Sequence, residues 1–369
     1  MKQTDICILG GGITALSTAW TLSKEGKQVT ICYTPRPHNA TQAAGGMLSP
    51  SCEADGCDPA LIELPVQSCA TYPDWVSELE RVSGIQCGYR TEGTLLVALH
   101  HDHNQELEHL VAFQQQFALS HQWCTRKQLK GLEPNLTRHI GGLHFANDYQ
   151  IDPRQLYRAL RTGLHKLGVT MLEGECRLEM ANDQVEYLIC EHNKIFAHTY
   201  ILSDGAWSME HLPTLPLRPV KGQYLLLAPK EGQETLVNHV IRTPDVYIIP
   251  REKGQLYIGA TMEEESFDNR ETVGATLDLL YHAFQVLPGV YEMVVVEHGK
   301  GFRPALRDNQ PLIGPHYRSD GTSSNLWFNL GHYRHGIMLA PQAATLLKDA
   351  LLYQHPIPMA FDQRRFVTS

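Results

Sequence analysis

Two places in this chain carry residue types that could do chemistry. Near the start, Ile6 to Leu9 runs into Gly10, Gly11 and Gly12, and Ile13, Leu16 and Trp20 then recur at helical spacing. Gly10 permits a tight turn. Gly12 lets the backbone approach a pyrophosphate, while the helix N-terminus supplies N–H groups and the positive end of its dipole. The third position of G-x-G-x-x-G is Ala15, one methyl larger than glycine. The acid expected after the next strand, which would accept two ribose hydroxyls, is replaced by Tyr33. A phenol there makes at most a single-point contact. Far downstream, Arg303 stands in Gly-Phe-Arg-Pro after a β-rich segment. Its planar guanidinium can hold a carboxylate with two parallel bonds. An ion pair with an acid of its own domain is the competing reading.

These residues need elements to position them. Gly26 closes the first helix, and Val29 to Cys32 is a second apolar run, so the start reads as a strand–helix–strand unit. "NATQAAGGMLSP" from Asn39 is rich in small residues, and residues 59 to 83 read as a helix interrupted at Pro65 and Pro73. A strand begins at Thr94, and helices span 104 to 117 and 125 to 132. Asp152 caps a third helix, which has Pro153 in its first turn and ends at Gly168. Residues 169 to 202 read as short strands, followed by "VKGQYLLLA", "DVYIIP" and "QLYIGAT". A helix ends at Pro288-Gly289, and a strand, a glycine turn and a long helix close the chain from Ser324. No Pro/Ser-rich linker marks a boundary, so the domains are expected to interleave.

Composition narrows the class. The 369 residues are 43% hydrophobic and 19% charged, an ordinary globular balance. The net charge of -9, without a basic run, argues against nucleic acid and anionic membrane as partners. No apolar stretch is long enough to span a bilayer. Lys2 and Asp5 flank only a strand-length apolar run, so no signal peptide is expected. Nine cysteines without C-x-x-C read as reduced thiols in the cytoplasm. The 19 histidines show no metal spacing; His100, His101 and His103 read as a solvated loop. No metal is expected. A single glycine turn and no C-x-x-x-x-C pair disfavour a flavin disulfide reductase.

The chain resembles the D-amino acid oxidase family of flavoproteins over nearly its whole length. The resemblance is carried by the glycine turn, "AAGGML" from Ala43, "RPVKGQ" from Arg218 and "YIIPREKGQLYIGATM" from Tyr247. It continues in "GFRPALRDNQPLIG" from Gly301 and "GHYRHGIMLAP" from Gly331. It implies a discontinuous FAD-binding Rossmann-like α/β domain interleaved with a mainly antiparallel β-sheet substrate domain. The expected divisions are 1–87, 146–216 and 300–369 for the first, and 88–145 and 217–299 for the second. The implied reaction is FAD-dependent oxidation of glycine, or a small amine or N-substituted glycine, to the imine. Oxygen would become peroxide, and the imine would feed the thiazole of thiamine. The FAD should be non-covalent, since no cysteine follows Cys190. An oxidase of a larger D-amino acid or N-alkyl glycine, and a flavin-poor binding relative, are the alternatives. The resemblance leaves a homo-oligomer open.

Residue by residue, the resemblance gives Arg303 and Tyr247 the substrate carboxylate, Met262 a wall above the flavin, and Arg334 a place beside flavin and substrate. The bland readings are an ordinary strand aromatic for Tyr247 and core filler for Met262. Cofactor positions are Gly10, Gly12, Ile13, Thr14 and Tyr33, then Thr41, Gln42, Ala44, Gly45, Gly46 and Met47. They continue with Cys176, Arg177, Asp204, Gly205 and Trp207, and with Arg303, Arg334, His335, Gly336, Ile337 and Met338. The helix entered from "GHYRHG" would aim its N-terminus at the flavin pyrimidine and favour negative charge there. His332 reads as structural. Glu53 reads equally as an entrance residue or a solvated one. Arg36 or backbone groups are candidates to offset Tyr33.

Overall fold

The computed structural model describes residues 2–53, 59–117, 119–233 and 235–366. Cys57 and residues 54–56 of "SCEADG" lie outside the described residues. Two eight-stranded sheets dominate. In the first, Ser323–Leu330, Asn193–Leu202, Lys2–Leu9, Val29–Tyr33 and Thr170–Glu173 run parallel in that order. Their near-continuous apolar runs match a sheet covered on both faces. Leu312–Tyr317 adds an antiparallel edge, and Cys176–Ala181 and Gln184–Cys190 extend Asn193–Leu202 as a meander. The second sheet is antiparallel apart from Val240–Arg242 against Thr94–Ala98. Val294–Leu306 pairs with Leu217–Ala228 along its whole length, so residue 300 falls inside a strand of this sheet.

One core joins the first sheet to the helices Ile13–Lys24, Pro59–Ser83, Pro153–Lys166 and Gly336–Tyr353, through Trp20, Tyr72, Leu160 and Leu347. The opposite face is sealed by Cys7, Leu9, Leu188 and Tyr200. The caps fall where the side-chain chemistry requires. Asp152 accepts from the N–H groups of Arg154 at 2.8 Å and Gln155 at 3.1 Å. Gly26 and Gly168 take positive φ after their helices.

Two local expectations are corrected. Residues 59–83 form one helix, with Pro65 and Pro73 inside it. Each proline removes a hydrogen bond, but Tyr72, Val76 and Leu79 stay buried against the neighbouring helices, and that packing outweighs the loss. The same helix repairs another break. Pro341 has no N–H for the Ile337 carbonyl four residues before it, and the Tyr72 hydroxyl donates to that carbonyl instead. The second correction concerns the histidine cluster. His101 opens a helix to Gln114, and His103 is buried, its Nδ1 accepting from the Leu99 N–H at 3.4 Å.

Candidate active site

A cleft of about 630 Å³ runs between the two sheets. At one end is the glycine turn. Gly10 takes φ +133°, and any side chain there would overlap the Ser203 carbonyl. Gly12 is the extended N-cap of the helix from Ile13 and has no side chain of its own to cap that terminus. The Ile13 N–H donates to Thr41 Oγ1 at 2.9 Å, which ties the turn to the small-residue segment. That segment is small because it is squeezed. A Cβ on Gly45 would lie 2.7 Å from Ile249 Cδ1, and Gly46 sits at φ +72° against the Ile151 carbonyl. The Tyr257 hydroxyl bonds the Ala43 carbonyl at 2.6 Å, and Arg251 donates to the Gly45 carbonyl.

Most expected cofactor positions converge on this cleft. Gly12, Ile13, Thr14 and Tyr33 line it, as do Thr41, Gln42 and Ala44 to Met47. Asp204, Gly205, Trp207, Arg303, Arg334, Gly336 and Ile337 complete that set. Gly10, in the turn, does not line the cleft and faces the Ser203 carbonyl instead. Cys176 and Arg177 do not line the cleft; the Cys176 N–H bonds Thr34 Oγ1 at 3.1 Å and Arg177 pairs with Glu179. His335 and Met338 line a neighbouring pocket instead. Asp204 is buried and lies 3.3 Å from His211 Nε2. Arg36 is held by Glu210 at 2.5 Å and lies over the Trp207 ring.

At the other end stands Arg303, on the strand Val294–Leu306. Its Nη1 donates to the carbonyls of Lys221 at 3.3 Å and Thr261 at 3.1 Å. Among the described residues no acid pairs with it, so the ion-pair reading does not hold. The nearby acids are engaged elsewhere: Glu263 and Asp268, with Glu265, surround the buried Lys221 ammonium at 2.8–3.2 Å. Tyr247 lines the cleft, stacked parallel to Tyr257 at 6.2 Å. Burial pushes its phenol up, against the pull of Arg303. Met262 is 66% exposed, which excludes core filler, and its sulfur accepts the Tyr333 hydroxyl at 2.8 Å.

Two titratable features complete this end. Glu53 is mostly enclosed rather than solvated: Arg242 Nη1 donates to its Oε1 at 2.7 Å, and His335 Nδ1 lies 3.2 Å from Oε2. Burial alone would raise the Glu53 carboxyl; Arg242, with His335 and Arg334, outweighs it and holds it well below the usual carboxylate range. His332, in the turn before the helix Gly336–Tyr353, is buried, and neither ring nitrogen has a partner in the protein. Burial, then the charge of His335, pushes it down to about 3, so it stays neutral.

The sequence reading did not single out Arg242, Tyr333, Gly222, Tyr157, Arg161 or Glu173, all of which line the cleft. Apart from Tyr157 and Arg161, one turn apart on the helix Pro153–Lys166, they come from separate segments that only the fold brings together.

The cleft fits a flavin dinucleotide. It has a helix N-terminus at each end whose N-cap residue, Gly12 or His335, makes no side-chain cap bond, a glycine turn bare enough for close backbone approach, and an orphaned histidine facing it. Fold and cleft define a dinucleotide-binding oxidoreductase. The profile of the DAO family, FAD dependent oxidoreductases, matches residues 5–350, and the chain belongs to that family. It is 32% identical over 375 residues to the bifunctional protein ThiO/ThiG of Synechocystis sp., covering 99% of this chain. The chain spans about half of that relative's length, 54%. It is 28% identical to the glycine oxidase of Bacillus licheniformis, over 95% of this chain and 94% of the relative. The crystal structure of glycine oxidase from Geobacillus kaustophilus superposes with a TM-score of 0.87 at 26% identity, covering 99% of this chain and 98% of that one. Among the described residues no helix is long and apolar enough to cross a membrane.

Proposed function

We propose that this enzyme oxidises glycine, or an amine or N-substituted glycine of similar size, to the corresponding imine, with O2 as the acceptor and H2O2 as the second product. The observation that carries the reading is Arg303: a guanidinium in the cleft, held by two backbone carbonyls, without an acid partner among the described residues, beside Tyr247 and Met262. Similarity to glycine oxidases over nearly the whole chain supports the substrate class.

Bound FAD would supply the acceptor for the hydride of the amine's oxidation, which carries both electrons, and would pass those electrons on to oxygen. The protein supplies orientation. Arg303 and Tyr247 bind the substrate carboxylate and so fix the direction of the Cα–H bond. Met262 and Tyr333 limit room for a substituent. The amine reacts neutral, and its proton leaves to solvent, so no acid–base dyad is required. Gly12, Ile13, Thr14 and the 41–47 segment would hold the cofactor, and the N-terminus of the helix from Gly336 would favour negative charge on its flavin. Similarity to ThiO/ThiG suggests that the imine supplies the thiazole branch of thiamine biosynthesis. The eight described cysteines are buried free thiols, which supports a reducing, cytoplasmic setting.

A peroxide-release screen with glycine, sarcosine, D-alanine, D-proline and longer N-alkyl glycines tests this. Glycine or sarcosine should give the highest kcat/KM. A clear preference for a larger amino acid would transfer the assignment to the alternative.

A further inference from the structure

The acid missing from the end of the second strand is present in space. Tyr33 and Glu173 end neighbouring parallel strands and are partners in register. The Tyr33 hydroxyl donates to Glu173 Oε2 at 2.5 Å and accepts from Arg161 Nη2 at 2.9 Å. Arg161 is fixed in turn by the Tyr157 hydroxyl at 3.1 Å and lies over the Tyr33 ring. Below, the ring packs on the glycine turn: a Cβ on Gly11 would come within 2.8 Å of its carbons. Tyr33 therefore cannot swing inward, and its one proton is already donated. Glu173 is an exposed residue on the cleft wall, and its Oε1 has no partner among the described residues. The other candidate, Arg36, is committed to Glu210 and Trp207.

We propose that Glu173, braced by Tyr33 and Arg161, accepts the adenosine ribose hydroxyls of FAD in place of an acid at position 33. A surface contact of this kind stabilises the fold little by itself, whereas a carboxylate held beside the glycine turn is the acceptor that a ribose diol requires. Tyr33 becomes the brace and the carboxylate arrives from the next strand. This rests on the family's cofactor, not on the identity of the amine substrate.

The test is binding, without turnover. Apoprotein is titrated with FAD, and with an FAD analogue lacking the adenosine 2′-hydroxyl, by flavin fluorescence. Wild type should bind FAD about tenfold more tightly than the analogue, the value of one hydrogen bond to a charged group. Glu173→Gln should weaken FAD by about the same factor and erase the discrimination. Tyr33→Phe, which removes the brace but keeps the ring, should reduce both by about threefold. The discrimination ratio is internal to each protein, so partial misfolding does not mimic it. Full discrimination retained in Glu173→Gln, or unchanged FAD affinity there, would overturn the assignment whatever the substrate proves to be.

Discussion

The guanidinium of Arg303 rests against the α-carbon of Gly222: a methyl group added there would overlap both terminal nitrogens. The two residues sit on paired strands, with Val220 opposite Arg303. Gly222 has no unusual φ to protect, so its missing side chain serves space alone. Gly222→Ala should displace the guanidinium from the Lys221 and Thr261 carbonyls. We expect KM for the amine to rise at least about tenfold with kcat less affected, since positioning of the bound carboxylate is what is lost. Steady-state kinetics at saturating oxygen measure this; an unchanged KM would separate Arg303 from substrate binding.

Direct removal should be more severe. Loss of a buried charged partner costs about 2–5 kcal/mol, so Arg303→Ala should raise KM at least about 30-fold while FAD remains bound. Arg303→Lys keeps the charge and loses the fork, and should recover only part. Flavin absorbance of the purified variants provides the control.

The Met262 sulfur and the Tyr333 hydroxyl, 2.8 Å apart, join two loops across the cleft. Met262→Ala should open room there. One methylene in an apolar pocket discriminates by about 10-fold or more. The ratio of kcat/KM for N-ethylglycine over glycine should therefore rise by about that factor. A ratio that does not move would place Met262 away from the substituent.

Glu53 and Arg242 form a largely enclosed pair, with side chains 11% and 21% exposed. Breaking such a pair typically costs about 3–5 kcal/mol, because a desolvated charge is left behind. Glu53→Ala should lower unfolding free energy in urea by an amount of that order. Replacing both by apolar residues should restore much of it. The Glu53 carboxyl is depressed in the folded state, so its contribution is present above the ordinary carboxylate pKa and is lost as pH falls below that value.

His332 adds a second acid-sensitive term. Its folded pKa of about 3 lies below the roughly 6.5 of an unfolded histidine. Between those values the unfolded chain binds a proton that the folded chain does not. Stability from this group is therefore complete above pH 6.5 and lost toward pH 3, with a slope of about 1.4 kcal/mol per pH unit at most. In the apoprotein, His332→Asn should flatten the acid limb of urea unfolding by up to that slope. An unaltered limb would mean that the ring is protonated in the fold.

The local chemistry of this chain is written in its sequence. The glycine turn, the βα spacing, the Asp152 cap and the Gly-Phe-Arg-Pro placement of Arg303 each depend on neighbouring residues, whose backbone preferences and periodicity are visible one window at a time. The helix through Pro65 and Pro73 was misread because propensity is a local quantity and the burial of Tyr72 and Leu79 is not. What the tertiary structure decided is which distant residues meet. Glu173 faces Tyr33 because two parallel strands 140 residues apart fell into register, and Arg242 meets Glu53 across 189 residues. A departure at position 33 reads as a loss until the adjoining strand is placed. Strand register is set by the packing of whole faces, and no short stretch of sequence contains it.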